Sequence, residues 1–399
     1  MKAERGPMTR SKQFRVALVG ISGYGDNYLD QLLRPEGAAE DAAAGSGEGA
    51  AEGAAADVLF CAAIDAFPER CPRLAELAEA GVRLYPDLES FYEKDHADLV
   101  VICAPIHLHA DLTCRALAGG SNVLCEKPLC VRPEDAEKMM AAERGSGLVV
   151  AIGYQWAFSD AVQELKKDIL SLSLGKPVCL KTLVLWPRRL SYYTRNSWAG
   201  RIRTADGNWV LDSPLNNAMA HHLHNMLYLL GGSTETAAEA ADIRAELYRA
   251  NQIENYDTAA LQAFTSGGTE LRMYAAHPVR EAVDPLVSFR FEDALVETGP
   301  DRLIRARFRD GRVKTYGLPD ERVFGKLQVT IRCIREKLPV PCGIAASVSH
   351  TRCINSIQDF PVADFPGERL RTDGGGVDSL VWVEGLAEEF KRRFDFDSF

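Results

Sequence analysis

Three glycines and a serine near the start of the chain are the first residues whose types and spacing point to chemistry. Residues 14–20 read FRVALVG, and Gly20, Ser22, Gly23 and Gly25 carry the chain through Tyr24 into a helical pattern. Small residues at this spacing let backbone amides approach a pyrophosphate, which then rests on a helix N-terminus. Ser22 stands where the common pattern has its second glycine, but a serine hydroxyl can itself donate to phosphate. A strand–helix turn that binds nothing would read the same way. A second apolar run, 58–64, ends in Asp65. A carboxylate there can accept from a ribose diol and repel a 2′-phosphate, which favours NAD. Arg70, five residues on, leaves NADP open.

Two further constellations stand later in the chain. Residues 187–203 read PRRLSYYTRNSWAGRIR, in which Tyr192, Tyr193 and Trp198 interleave with Arg189, Arg195, Asn196 and Arg201. Aromatic faces suit the C–H faces of sugar rings, and amide and guanidinium groups suit hydroxyls. The stretch reads as a carbohydrate wall, with Trp209, Asp212 and Asn216 completing it. Aromatics packed on a sheet would give the same pattern. His221, His222 and His224 raise the question of a metal, because i and i+3 share a helix face. No carboxylate or cysteine stands beside them, so no metal is expected. His222 is expected to point away from His221 and be structural, and His277 and His350 likewise.

These residues need elements to hold them. Apolar runs at 14–20, 58–64, 82–85, 98–104, 122–125 and 148–152 alternate with helical patterns at 24–33, 68–80, 88–94, 108–118 and 133–143. Such alternation predicts an α/β domain with a parallel sheet covered on both faces. After Gln155 the pattern changes. Strands are expected at 178–186, 258–265, 270–276, 286–291 and 312–316, and helices at 160–170, 217–230, 320–337, 345–359 and 377–394. This predicts an α+β domain with a large, mostly antiparallel open sheet. The domain boundaries fall at a polar tail (1–13), a dinucleotide-binding domain (14–156) and a substrate-binding and oligomerisation domain (157–399). Residues 37–56 are almost all Ala, Gly and Glu and read as a flexible insertion. That insertion accounts for a turn-to-Asp65 spacing above the usual ~20 residues. The last helix is expected to pack back on the first domain.

Bulk composition narrows the rest. A chain of 399 residues with 46% hydrophobic and 26% charged residues suits two globular domains. A net charge of −10 disfavours nucleic acid as a partner. Neither a secretory leader nor a membrane-spanning run is visible, so a cytoplasmic location is expected. Ten dispersed cysteines without a CxxC pair read as reduced thiols. An open sheet must be covered, so a homodimer or homotetramer through that sheet is expected.

Two motifs tie these readings together. Residues 98–109 read DLVVICAPIHLH, and residues 122–129 read NVLCEKPL. With the glycine turn, Asp65 and the α+β second half in this order, the chain resembles the Gfo/Idh/MocA oxidoreductases, most closely over 14–156. The resemblance implies a Rossmann domain with NAD(P) across its strand ends and substrate between the domains. Cofactor contacts are implied for Gly20, Ser22, Gly23, Tyr24, Gly25, Asp65, Ala104, Pro105, His109, Glu126, Lys127 and Gln155. Lys127 is implied to polarise a carbinol oxygen and share in proton transfer. The family's Asp-x-x-x-His pair maps to Asn217 and His221, with His221 expected to titrate near working pH and Asn217 to orient. Asparagine for aspartate leaves the site poorer in negative charge. Substrate contacts are expected from Lys127, Gln155, Tyr193, Arg195, Trp198, Arg201, Asn217 and His221. The expected reaction is hydride transfer between NAD(P) and a secondary hydroxyl of a sugar, sugar derivative or cyclitol. An NAD-dependent glycosidase using transient oxidation and elimination, and a non-catalytic dinucleotide-binding protein, remain alternatives.

Overall fold

A computed structural model describes residues 13–34 and 58–396. The polar tail up to residue 12 and the Ala/Gly-rich segment lie outside the described residues. The first sheet has six parallel strands: β1 (Phe14–Val19), β2 (Val58–Ile64), β3 (Arg83–Tyr85), β4 (Leu99–Ile102), β5 (Asn122–Cys125) and β6 (Val150–Ile152). Their order is β3-β2-β1-β4-β5-β6. Both faces carry helices, which is why strands such as Val16–Leu18 and Leu99–Ile102 are apolar throughout and wholly buried. The order reverses between β1 and β4, and that point opens a crevice at the carboxyl ends of the strands. The glycine turn sits there.

The second sheet has nine strands: β7 (Pro177–Leu185), β8 (Ala240–Arg249), β9 (Thr258–Thr265), β10 (Glu270–Ala276), β11 (Val283–Phe291), β12 (Ala294–Thr298), β13 (Ile304–Phe308), β14 (Val313–Gly317) and β15 (Val362–Asp364). Their order is β14-β13-β12-β11-β7-β10-β9-β8-β15. Only the β7–β10 and β8–β15 pairs are parallel, so the sheet is mostly antiparallel as expected. Four of its strands, β8, β12, β13 and the three-residue β15, escape the sequence reading. β8 is half-exposed and places Asp242, Arg244 and Glu246 on one side, but its Ala- and Glu-rich composition suits a helix equally well. β12 and β13 are only five residues long, and β13 carries Arg305 and Arg307 at alternate positions.

The C-terminus departs further from expectation. Residues 377–394 do not form one helix. A hairpin of β16 (Leu370–Asp373) and β17 (Leu380–Val383) ends at Gly385, whose φ of +78° turns the chain into a helix at Leu386–Asp395. Nor does that helix return to the first domain. Leu386, Phe390 and Phe394 pack on Leu183, Tyr274 and Ala276, covering β7 and β10 on the sheet's outer face. The chain thus covers part of the face expected to take a second copy. The elements that do return are the helices Gly325–Glu336 and Ile344–Ile357. Ile152 N donates to Cys342 O at 2.7 Å, and Asn355 Nδ2 donates to Val131 O at 2.7 Å. One apolar core consequently runs through both halves. Among the described residues no helix is long and apolar enough to cross a membrane.

Phe390 is 2% exposed and seals the outer cluster. Phe390→Ala is expected to lower unfolding free energy by about 3–5 kcal/mol, read from the urea midpoint at unchanged m. A loss under about 1 kcal/mol would show that the helix is not part of the folded core.

Candidate active site

The crevice begins at the glycine turn. Gly20 has φ +81°, and a Cβ there would lie 2.7 Å from Cys103 O. A Cβ at Gly25 would lie 1.9 Å from Gly20 O. Neither position admits a side chain, so the turn lies flush against the end of β4. Gly23 has φ +61° and open space around its Cα. Tyr24, 44% exposed, stands at the start of the helix Gly25–Leu33. Asp65 braces the turn, accepting from Ile21 N at 3.0 Å and Phe67 N at 2.8 Å. A carboxylate has acceptor capacity beyond two bonds, so Asp65 keeps room for a diol. A close-packed glycine turn, a helix N-terminus and an adjacent carboxylate fit a dinucleotide's pyrophosphate and ribose.

The next strand ends carry Ala104, Pro105 and Glu126–Pro128. His109 joins them. Its Nδ1 lies 2.7 Å from Pro128 O and its Nε2 2.9 Å from Ala104 O. This ring is buried between two carbonyl oxygens, and its neutral form donates to one of them, so it shapes the crevice through the backbone. The Lys127–Pro128 peptide bond is cis. Glu126 is buried and its carboxylate is occupied. It accepts from Tyr28 Oη at 2.7 Å, pairs with Lys326 Nζ, and accepts from Lys127 N at 3.2 Å. Burial alone would raise the Glu126 pKa, but the Lys326 ammonium outweighs it and holds the carboxyl below its usual range. Lys326 is fully buried and comes from the returning helix Gly325–Glu336. Sequence reasoning missed it, because a single lysine 200 residues from its partner carries no local signal.

Lys127 lies beyond the carboxyl end of β5, half-buried. Its Nζ donates to Asn217 O at 2.8 Å and Asn217 Oδ1 at 3.3 Å. Burial, against the pull of Glu126, brings its pKa down to about 8. Asn217 lies just before the helix Ala220–Leu229. Its Nδ2 donates to Asp212 Oδ1 at 2.7 Å. The site is therefore not short of negative charge, as Asn217 alone implied. A buried carboxylate, Asp212, stands behind the Asn217 amide. His221 faces the edge of Tyr154 at 5.9 Å, and its Nδ1 is buried with no hydrogen-bond partner. Burial, aided by the Lys127 charge, depresses its pKa well below the usual histidine value. The expected titration near working pH thus belongs to Lys127 and not to His221. His222 packs between Trp156 and Trp186, as a structural residue should. His224 stacks on Tyr154 and meets Ala346 O at 2.9 Å. His350 meets Tyr154 Oη and Leu215 O, each at 2.9 Å.

Other expected contacts are divided. Gln155 Nε2 donates to Asp320 Oδ1 at 3.2 Å, which turns its amide toward the residues after β14. Arg195 does join the site. Its guanidinium lies 3.7 Å from the Tyr192 ring centre, 5.4 Å from that of Trp198 and 3.8 Å from Asp212 Oδ2. Arg201 is exposed. Asn196 caps the backbone at Trp198 and Ala199. Tyr193 and His277 line a small cavity with Asp212, and the Tyr193 hydroxyl and His277 Nε2 are buried there without partners.

Comparison with known proteins places this geometry. Residues 14–154 match the model of an oxidoreductase family with an NAD-binding Rossmann fold. The chain is 26% identical over 171 residues to a 2,7-anhydro-N-acetylneuraminate hydratase of Mediterraneibacter gnavus, covering 42% of each chain. It is 28% identical over 176 residues to inositol 2-dehydrogenase 1 of Saccharopolyspora erythraea, covering 43% of this chain and 50% of that one. The match thus spans half the length of these curated relatives or less. In fold the chain is similar to the WlbA dehydrogenase of Bordetella pertussis, solved with NADH and UDP-GlcNAcA. The TM-score is 0.66 at 18% identity, over 85% of this chain and 93% of that one.

The buried Glu126–Lys326 pair generates a stability prediction. Lys326→Met leaves an uncompensated carboxylate in the core and is expected to cost about 3–5 kcal/mol by chemical denaturation. Adding Glu126→Gln should restore most of that loss. A double variant no more stable than Lys326→Met would show that the charge itself is not the cause.

Proposed function

We propose that this chain, which through residues 14–154 belongs to the Gfo/Idh/MocA oxidoreductase family, transfers hydride between NAD(P) and a secondary hydroxyl of a sugar, sugar derivative or cyclitol. The observation that carries this reading is Lys127. Its half-buried ammonium sits at the carboxyl end of β5, beside the crevice lined by the glycine turn, with a pKa of about 8. The cofactor, when bound, supplies the hydride acceptor. Gly20, Ser22, Gly23, Tyr24 and Gly25 would hold its pyrophosphate and Asp65 a ribose, which favours NAD over NADP.

Lys127 does the proton work. As the free amine it can take the hydroxyl proton while hydride leaves the carbinol carbon. As the ammonium it polarises the carbonyl oxygen in the reverse direction. Its pKa is close enough to neutrality for both forms to be accessible. His221, held neutral, offers a hydrogen bond to the same hydroxyl and not a charge. Asn217 fixes Lys127 through two oxygens. Tyr193, Arg195 and Trp198 provide aromatic and guanidinium surface for a ring with several hydroxyls. A hydratase among the relatives favours a second reading, in which transient oxidation serves an elimination or hydration without net redox change.

Fluorescence titration with NADH and NADPH tests the cofactor, and a screen of sugars and cyclitols with NAD tests the reaction. Tight NADH binding with weak NADPH binding is expected, and binding of neither would remove the proposal. Lys127→Ala should reduce turnover by at least ~10²-fold with NADH binding retained. Oxidative turnover should rise as pH passes about 8, where Lys127 loses its proton. A flat profile across that value would exclude Lys127 as the proton acceptor.

A further inference from the structure

Asn217 carries an amide where the family resemblance expects a carboxylate. A neutral amide could offer either its oxygen or its NH2 to Lys127, and the second choice would oppose an ammonium. The structure shows what settles the choice. Asp212 Oδ1 lies 2.7 Å from Asn217 Nδ2. A carboxylate only accepts, so it takes the NH2 and leaves Oδ1 to face Lys127 Nζ at 3.3 Å. Asp212 is itself held. It is 2% exposed, and its Oδ2 accepts from Gly200 N at 2.7 Å. Gly200 has φ +70°, and a Cβ there would lie 2.7 Å from Ile253, so that loop can present its amide only as glycine. Asp212 thus has a built place.

We propose that Asp212 is the positioning residue of this site: acting through the Asn217 amide, it supplies the orientation and the negative charge that fix Lys127, replacing a carboxylate at position 217. The role rests on the reading of Lys127 as the proton-handling group. The charged and titratable groups around Lys127 are Glu126, Lys326, Asp212, Arg195, His221, and the buried His109 and His350, whose pKa values burial lowers. Of these, Glu126 is committed to Lys326 and Tyr28, and His221 is neutral. Asp212 pulls the Lys127 pKa upward, and Arg195, which lies 3.8 Å from Asp212, pulls it downward. Nothing in local sequence marks Asp212 for this work, since it precedes Asn217 by five residues in a segment outside any helix.

The test reads the Lys127 titration directly and needs no substrate. Trace acetylation of the full-length protein with isotopic acetic anhydride, quantified on the Lys127 peptide, gives a labelling midpoint over about pH 6–10. Asp212→Asn should lower that midpoint by about one unit, since the ammonium loses a nearby carboxylate and its oriented amide. The exchange Asp212→Asn/Asn217→Asp keeps one amide and one carboxylate in the same pair. It should return the midpoint to the native value or raise it by less than about one unit. An unchanged midpoint in Asp212→Asn overturns the proposal. If that single variant does not fold, the exchange variant decides. A rise of more than about two units would show that Asp212 was not acting on Lys127 in the native chain and would overturn the proposal. Loss of dehydrogenase activity plays no part in these outcomes. A protein that oxidises no polyol can still show the shift, and an active enzyme can lack it.

Discussion

The arrangement depends on a charge buried across the join between the two halves of the chain. Glu126 ends a strand of the first sheet, and Lys326 begins a helix that follows the second sheet. A carboxylate and an ammonium taken from water cost several kcal/mol each unless geometry and further hydrogen bonds compensate. Here Tyr28 and the Lys127 amide supply those bonds. The pair therefore tolerates little relative movement of the halves. Because Glu126 immediately precedes Lys127, the same restraint holds the backbone from which Lys127 reaches Asn217. The ring of Phe324, 5.2 Å from that of Tyr28, extends the contact toward the glycine turn.

Much of the first half was legible because its signals are local. A buried parallel strand must be apolar on both faces, and a turn that passes under a neighbouring carbonyl must use glycine. Gly20 and Gly25 show this literally, for any Cβ would meet backbone oxygen. The second half was less legible because its signals are compromised by exposure. β8 carries charges on a solvent-facing side, and its Ala- and Glu-rich stretch is equally suited to a helix. Residues 377–394 misled for the opposite reason. Leu380–Val383 and the later apolar residues together imitate helical spacing, and only Gly385 marks the break.

Within the site, the residues that sequence found are those named by motif, and those it missed act through tertiary structure. Lys127, Asn217 and His221 do converge. Lys326 and the use made of Asp212 were invisible, since each is defined by a partner and not by a neighbour in sequence. Gln155 shows the converse. It sits where the motif puts it, yet Asp320 draws its amide elsewhere. His109 likewise occupies its motif position, but its ring is held between two backbone carbonyl oxygens. Motif position fixes where a Cα lies, while the competition among nearby polar groups fixes what the side chain does.

That competition explains the Lys127 pKa as well. Two ion pairs flank the ammonium: Glu126 with Lys326, and Asp212 with Arg195. In each the carboxylate has the larger influence on Lys127 and the cation the smaller. Each pair thus leaves a bias toward the protonated amine. Burial works against that bias and exceeds it. Were either carboxylate unpaired, the Lys127 pKa would rise and less free amine would be present near neutrality. Were either cation unpaired, the amine would lose its proton at lower pH and could not donate in the reverse direction. Paired charges on both sides leave desolvation the leading influence on Lys127, and this is the condition under which one lysine can serve a reversible proton transfer.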